Sequence, residues 1–235
     1  MRLDKLLVEL GVGSRSELKK IIKSGAITVN GARVTRPEMQ VNPAIDEIIH
    51  NGNTLIYEEF EYYLLNKPAG YVSATKDNVY PTVMELIPSD RKGLAPVGRL
   101  DVDTEGLLLI TNDGQLSHQM LSPKKHVDKT YYAQIEGIVT NTDVDKFASG
   151  LDIGDDKPAL PGELVILSAN SDSNTSEIQL TISEGRFHQV KRMFEAVGKH
   201  VTYLKRISFG PLTLPDDLPL GEYIKINKPL YLYRR

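Results

Sequence analysis

The short apolar run from Gly106 to Ile110 constrains the fold more than any other stretch of this 235-residue chain. A polar turn precedes it, and Asn112, Asp113 and Gly114 follow it, which is typical of a turn that ends a strand. The run is short and bounded by glycine, so it predicts a buried strand. We therefore expect the chain to build a sheet around this segment.

Two charged residues, Arg99 and Asp101, come shortly before this strand. A carboxylate at the mouth of a buried strand can be held rigidly and partly away from water, as a reactive acid requires. The same pair can also be an ordinary ion pair at the surface, and three residues alone do not decide between the two interpretations. Asp101 is therefore a candidate catalytic residue.

Composition excludes several classes of protein. The chain has no cysteine, which excludes disulfides and thiolate zinc sites. No cofactor and no metal are predicted, because the sequence has neither a glycine-rich phosphate-binding pattern nor a cluster of metal ligands. It also has no apolar run that could span a bilayer and no signal-peptide core. We expect a cytoplasmic monomer without a membrane partner.

Charge is distributed unevenly along the chain. The net charge is −3, yet residues 1–40 hold eight basic and four acidic side chains. A second basic stretch, residues 184–206, lies within the otherwise acidic remainder. Such segments indicate dedicated phosphate contacts, although a solvated helix face is the ordinary alternative.

The first 58 residues have the pattern of a small α/β module. Leucines at helical spacing predict one helix, and a second helix follows, capped by Ser14 or Ser16. Two short strands around Asn30 and Gly31 then predict a hairpin. The basic side chains expected to contact phosphates here are Arg2, Lys5, Arg15, Lys19, Lys20, Lys23 and Arg33.

Glutamates after this module mark a linker at residues 59–61, and residues 62–235 form the second predicted domain. A strictly alternating pattern at residues 177–182 predicts a half-buried strand, and residues 114–121 predict a helix. The predicted fold class is therefore α+β.

The string GRLDVDTEGLLLITNDG, from Gly98 to Gly114, resembles the catalytic motif of the pseudouridine synthases. It is most similar to the RsuA group, which isomerises uridines in ribosomal RNA. The N-terminal string SRSELKKIIK with the following G-x-I-x-V-N-G resembles the S4-like RNA-binding domain shared with ribosomal protein S4. The resemblance implies an S4-like domain at residues 1–58 and a pseudouridine synthase domain with a mixed, mainly antiparallel sheet at residues 62–235.

The resemblance also implies roles for individual residues. Asp101 is the catalytic carboxylate, Tyr131 packs against the target base, and Arg186 pairs with Asp101. Val190, from E-G-R-x-H-Q-V-K-R-M-F, touches the uracil. Taken alone, Tyr131 is more often a core aromatic and Arg186 a surface side chain. The cations expected to bind the flanking phosphates are Arg99, Lys191, Arg192, Lys205 and Arg206.

The reaction breaks an N-glycosidic bond, turns the uracil and joins a carbon of the base to the sugar, so it consumes no cofactor. One carboxylate acting near the developing charge is required. Whether Asp101 attacks the sugar, attacks the base or removes a sugar proton stays open at this point.

Several functions remain as alternatives. The form G-R-F-H-Q-V-K-R-M-F, without a basic C-terminal tail, favours a synthase of small-subunit (16S) ribosomal RNA, acting within an assembly intermediate, over a synthase of large-subunit (23S) RNA. A non-catalytic RNA-binding assembly factor is the alternative of another class, and the intact Asp101, Tyr131 and Arg186 argue against it. A glycosidase pair of Asp101 and Asp103 is a weaker alternative, because sequence spacing does not fix their separation.

Overall fold

The computed structural model describes residues 1–89 and 91–228. They divide into two compact units, one of Met1–Phe60 with Pro88–Leu94 and one of Glu61–Ile87 with the described part of Ala95–Arg235. Residues 229–235, which the sequence prediction assigns to the second domain, lie outside the described residues. That prediction also assigns residues 88–94 to the second domain, whereas the structure groups them with the first, where Arg91 donates to the carbonyl of Glu58 at 2.9 Å.

The first unit combines two short helices with a small antiparallel sheet. Its described elements are α1 (Leu3–Glu9), α2 (Arg15–Lys23), β1 (Ile27–Val29), β2 (Ala32–Arg33), β3 (Ile48–His50) and β4 (Asn53–Thr54). The sheet order is β2-β1-β3-β4. The Ser14 side chain accepts from the backbone N–H of Glu17, and the glutamate in turn reaches back to the cap. This capping box confirms the predicted start of the second helix.

The second unit is built on one large sheet. Its described elements are β5 (Tyr62–Lys67), β6 (Ala95–Pro96), β7 (Glu105–Thr111), α3 (Gly114–Leu121), β8 (Lys129–Glu136), α4 (Asn141–Ser149), β9 (Glu163–Asn170), β10 (Thr175–Ile182), α5 (Gln189–Glu195), β11 (His200–Phe209), β12 (Leu212–Thr213) and β13 (Tyr223–Lys225), with 3-10 turns at Val83–Leu86 and Pro123–Lys125. Within the described part of the chain, no helix is both long and apolar enough to cross a membrane.

The strand order of the large sheet is β13-β5-β7-β11-β8-β10-β9, with β6 beside β7 and β12 beside β11. Neighbouring strands in this order are antiparallel, except that β7 and β11 run parallel. The α+β class with a mixed, mainly antiparallel sheet is therefore confirmed.

Strand β7 is the centre that the sequence predicts. Its residues 107–110 are completely buried between β5 and β11. Helix α3 follows at once, because the Asp113 side chain accepts from the N–H of Leu116 and caps it. The loop that contains Asp101 thus leads directly into a central, buried strand of the unit.

Candidate active site

A cavity of about 390 Å³ opens in the second unit beside the loop that precedes β7. We call it the Asp101 cleft. Its walls come from this loop and from residues on β8, β11, α5 and the segment just before α5. The residues predicted from sequence that line it are Arg99, Asp101, Tyr131, Arg186, Val190, Lys191 and Arg206.

Lys67, at the end of β5, supports the loop from inside the protein. Its side chain is fully buried. Its Nζ donates to the backbone carbonyls of Thr104, Asp101 and Pro68 at 2.7, 3.0 and 3.0 Å. Burial lowers the pKa of Lys67 to about 8, against the opposing charge of nearby carboxylates, Asp103 first. Sequence reasoning missed this role, although a lysine that ends a buried strand was the available signal.

The other side of the loop is fixed by backbone contacts and a buried serine. Ser73 Oγ donates to the carbonyl of Leu100 and accepts from its N–H, both at 3.0 Å. The N–H of Gly70 donates to the carbonyl of Val102 at 2.7 Å. The loop is thus held on both flanks of Asp101, which is the support that a reactive side chain needs.

Replacing Lys67 with Met is expected to lower the free energy of unfolding by about 1–3 kcal/mol, because three buried carbonyls lose a charged donor while one buried charge is removed. The loop also loses its position, so we expect activity to fall more than about 100-fold. Urea unfolding and turnover measure the two effects. Lys76→Met, at an exposed lysine of the same unit, is the control and should change neither. Unchanged stability and turnover in Lys67→Met would contradict the supporting role.

The carboxylate of Asp101 is about one-third exposed and faces two side chains from the region of α5. Lys191 Nζ lies 3.4 Å from its Oδ2, and His188 Nε2 lies 3.6 Å from its Oδ1. Lys191 also contacts both oxygens of Asp103, at 2.7 and 2.9 Å. Burial acts to raise the pKa of Asp103. The hydrogen bond and the positive charge of Lys191 outweigh burial, so the pKa of Asp103 is lowered. Lys191 therefore bridges two carboxylates, hydrogen-bonded to Asp103 and in ion-pair contact with Asp101.

The predicted ion pair between Arg186 and Asp101 is wrong. Arg186 instead binds Glu184 at 3.1 Å and Asp155 at 3.3 Å, and donates to the carbonyls of Lys157 and Pro158. The physical reason is where the helix begins. Arg186 precedes α5, which starts at Gln189 after His188 with φ of 47°. The side chains that reach Asp101 are those of His188 and of Lys191, in the first turn of the helix.

Three of the predicted phosphate-binding cations also differ from expectation. Arg192 is held by the carbonyl of Ile153 and by Asp155, so it fastens a loop to α5. Arg206 is only 2 % exposed, which rules out a phosphate contact at the surface. Lys205 pairs in register with Glu105 of β7, and the cleft lining does not include it.

The cleft also presents uncharged surfaces. Tyr131 and Val190 are nearly buried and line the cleft, where a planar base can contact them. Next to the cleft, the highly exposed ring of Phe187 stacks on His188 with centroids 3.8 Å apart. This aromatic pair is not among the residues predicted from sequence, and its His188 has a positive φ of 47°.

In the first unit, the predicted basic side chains are of two kinds. Arg2 is bound by Asp4 in a bidentate contact, and Lys5 lies 3.8 Å from Glu9. The others are exposed on α2 and on the hairpin, with the Arg33 side chain packed against the end of α2. The predicted cations that are exposed on α2 and on the hairpin are Arg15, Lys19, Lys20, Lys23 and Arg33.

Two family models match the chain. Residues 61–196 match the family described as RNA pseudouridylate synthase, and residues 1–45 match the S4 domain. The first match contains the Asp101 loop and α5, and the second contains the exposed cations of α2 and the hairpin.

Individual proteins are similar along almost the whole chain. The ribosomal small subunit pseudouridine synthase A of Escherichia coli (strain K12) is 41 % identical over 228 residues, which are 95 % of this chain and 95 % of that protein. The ribosomal large subunit pseudouridine synthase B of Bacillus subtilis (strain 168) is 41 % identical over 214 residues, 91 % of this chain and 87 % of that protein. A crystal structure of a pseudouridylate synthase matches with a TM-score of 0.66 and 39 % identity, covering 97 % of this chain and 96 % of the other.

Proposed function

The chain belongs to the RNA pseudouridylate synthase family, and we propose that it converts uridine to pseudouridine in small-subunit ribosomal RNA, with Asp101 acting on the target nucleotide. The observation that carries this proposal is the Asp101 carboxylate, 3.4 Å from Lys191 Nζ, in a cleft whose walls include Tyr131 and Val190. The enzyme is thus an isomerase that acts on ribosomal RNA.

The arrangement suits the chemistry of the isomerisation. A uracil within an RNA helix is out of reach, so the target nucleotide must leave the stack and enter the cleft. There Tyr131 offers an aromatic surface and Val190 an aliphatic one to the base. Asp101, held by its loop and oriented by Lys191, then acts on the sugar or on the base. The C1′–N1 bond breaks and the C1′–C5 bond forms, while C5 loses one proton and N1 gains one, so no donor or acceptor is consumed.

The small subunit is the favoured source of substrate RNA. The similarity to the E. coli small-subunit enzyme extends over a larger share of both chains than the similarity to the B. subtilis large-subunit enzyme, although the identities are equal. The sequence GRFHQVKRMF around α5 supports the same choice. The RNA within a partly assembled small subunit is the proposed form of the substrate.

Pseudouridine mapping tests this function. Transcripts of small- and large-subunit ribosomal RNA, and partly assembled particles, are incubated with the protein and mapped. We expect one new pseudouridine in small-subunit RNA, formed most efficiently in the particles. New pseudouridine only in large-subunit RNA would overturn the choice of subunit. RNA binding without new pseudouridine in any sample would overturn the enzyme assignment, and release of free base would indicate a glycosidase.

We further propose that the S4 domain anchors the enzyme on RNA through the exposed cations of α2 and the hairpin. Removal of two of them, in Lys19→Gln with Lys23→Gln, is expected to weaken RNA binding and to reduce the salt dependence of log Kd by about one unit for each lost phosphate contact. The turnover number at saturating RNA should stay unchanged. Filter binding between about 50 and 200 mM salt measures the slope.

Lys76→Gln is the matched control, because it also removes an exposed lysine but lies outside the S4 domain. An equal change of slope in the control and the double variant would contradict a dedicated anchoring surface on α2.

A further inference from the structure

Two cationic side chains are buried in the wall of the Asp101 cleft. Lys129, at the start of β8, is 9 % exposed, and Arg206, on the neighbouring strand β11, is 2 % exposed. Both line the cleft. Both lie over the ring of Phe209, with Lys129 Nζ 5.2 Å and Arg206 Cζ 4.8 Å from its centroid. The cleft therefore has a cationic floor, which we define as Lys129 and Arg206.

The protein satisfies these two side chains only in part. Arg206 Nε donates to the carbonyl of Leu107 at 2.9 Å, but its Nη2 is buried and has no hydrogen-bond partner among the residues that the structure describes. Lys129 Nζ donates to the carbonyl of Val127 at 2.7 Å. Within the described ranges 1–89 and 91–228, neither side chain is in ion-pair contact with a carboxylate. Lysine and arginine side chains only donate hydrogen bonds, so each needs acceptor atoms as partners.

Burying two positive charges close together is unfavourable for folding. Burial, and then the charge of Arg206, lower the pKa of Lys129 to about 8, while Asp128 and Glu184 act in the opposite direction. Apolar side chains of similar volume would fill this wall at lower cost. A perturbed, incompletely paired cation in a cleft is therefore better explained by a ligand than by packing.

The position of Lys129 indicates which part of a ligand it meets. Alternate residues of a strand share one face, and on β8 the buried face carries Lys129, Tyr131, Ala133 and Ile135. Tyr131 is also the register partner of Arg206 across β8 and β11. A base that packs on Tyr131 is thus adjacent to the cationic floor, in the cleft that Asp101 also lines.

We propose that Lys129 and Arg206 bind the carbonyl oxygens of the target uracil and stabilise negative charge on the base during the isomerisation. This inference rests on the proposed function. When the C1′–N1 bond breaks, its electron pair moves to the base and spreads over N1 and the two carbonyl oxygens, and it is used again when C5 bonds to C1′. Addition of a carboxylate to C6 would likewise place charge on a carbonyl oxygen. Both routes therefore place charge on a carbonyl oxygen of the base, and buried preorganised donors stabilise such charge strongly.

The test compares Lys129→Met with Lys129→Arg in the same turnover assay as the wild type. We expect Lys129→Met to lower kcat by about 10²–10³-fold, with the KM for RNA changed only a few-fold and with Tm equal to or above that of the wild type. A purely structural lysine would show the reverse, a lower Tm and a nearly unchanged kcat. A kcat of Lys129→Met within about threefold of the wild type would overturn the proposal.

The pH dependence supplies a second readout. Because the lowered pKa of Lys129 is about 8, its charge is lost as the pH rises through that value, and wild-type kcat should fall there. Arginine keeps its charge, so in Lys129→Arg this fall should move to higher pH. If kcat of Lys129→Arg decreased at the same pH as in the wild type, the decrease would belong to another group, such as Lys67. That result would overturn the role of Lys129. The profile decides the question even where Lys129→Met does not fold. An inactive wild type, by contrast, would refute the proposed function itself.

Discussion

Replacing Asp101 with Asn is expected to lower kcat on RNA by at least about 10⁴-fold while the protein stays folded. Asparagine has nearly the same shape, but it has neither the charge nor the basicity of the carboxylate. The support of the loop is unaffected, because Lys67 donates to the backbone carbonyl of residue 101 and not to its side chain. Tm should therefore change little, and RNA binding should be retained.

Asp103→Asn is the matched control for this prediction. Asp103 lies two residues away and contacts the same Lys191, yet its side chain is 65 % exposed, against 30 % for Asp101. We expect its kcat to remain within about tenfold of the wild type, since Lys191 still contacts Asp101. If Asp103→Asn were the inactive variant and Asp101→Asn the active one, the catalytic assignment would move to Asp103.

Replacing Gly106 with Ala is expected to lower the free energy of unfolding by about 3–5 kcal/mol. Gly106 has φ of +100°, which a residue with a side chain rarely adopts. An added Cβ would also lie 2.3 Å from the backbone oxygen and 2.8 Å from the backbone nitrogen of Arg206. Strands β7 and β11 are in register at these two residues, so the clash is with backbone that cannot move aside.

Gly114→Ala is the control from the same motif. Gly114 begins α3 and does not have a positive φ. A Cβ added there would meet no heavy atom within 4 Å among the described residues. Alanine favours a helix by up to about 1 kcal/mol over glycine, so stability should be equal or slightly higher. Chemical denaturation measures both variants. Similar stabilities for Gly106→Ala and the wild type would contradict the close approach of β7 and β11.

Local signals in the sequence predicted much of the fold. The apolar run before Asn112 does form the buried strand β7, and the serine and glutamate around residues 14–17 do cap α2. Such features depend on residues near one another in the chain. The alternation along β8 also contained the signal for Lys129, because Lys129 shares a face with Tyr131 and Ala133. That signal was overlooked since a lysine is seldom buried.

The geometry around Asp101 was less accessible from sequence. Lys191, in the first turn of α5, meets its carboxylate, whereas Arg186 precedes the helix and is paired with other carboxylates. Arg186 instead forms an ion pair with Asp155, which lies on a loop 31 residues earlier in the chain. Contacts of this kind arise from the assembled sheet and loops, and spacing within one motif does not determine them.

The most direct test of the account is the structure of Asp101→Asn bound to its substrate RNA. We predict that the target uridine is extruded from the RNA, with its base between Tyr131 and Val190 and with C1′ or C6 within about 3–3.5 Å of the residue 101 side chain. The opposite result is a uridine that stays stacked in the RNA or binds outside the Asp101 cleft, although the wild-type enzyme modifies the same RNA. That result would contradict the assignment of this cleft as the active site.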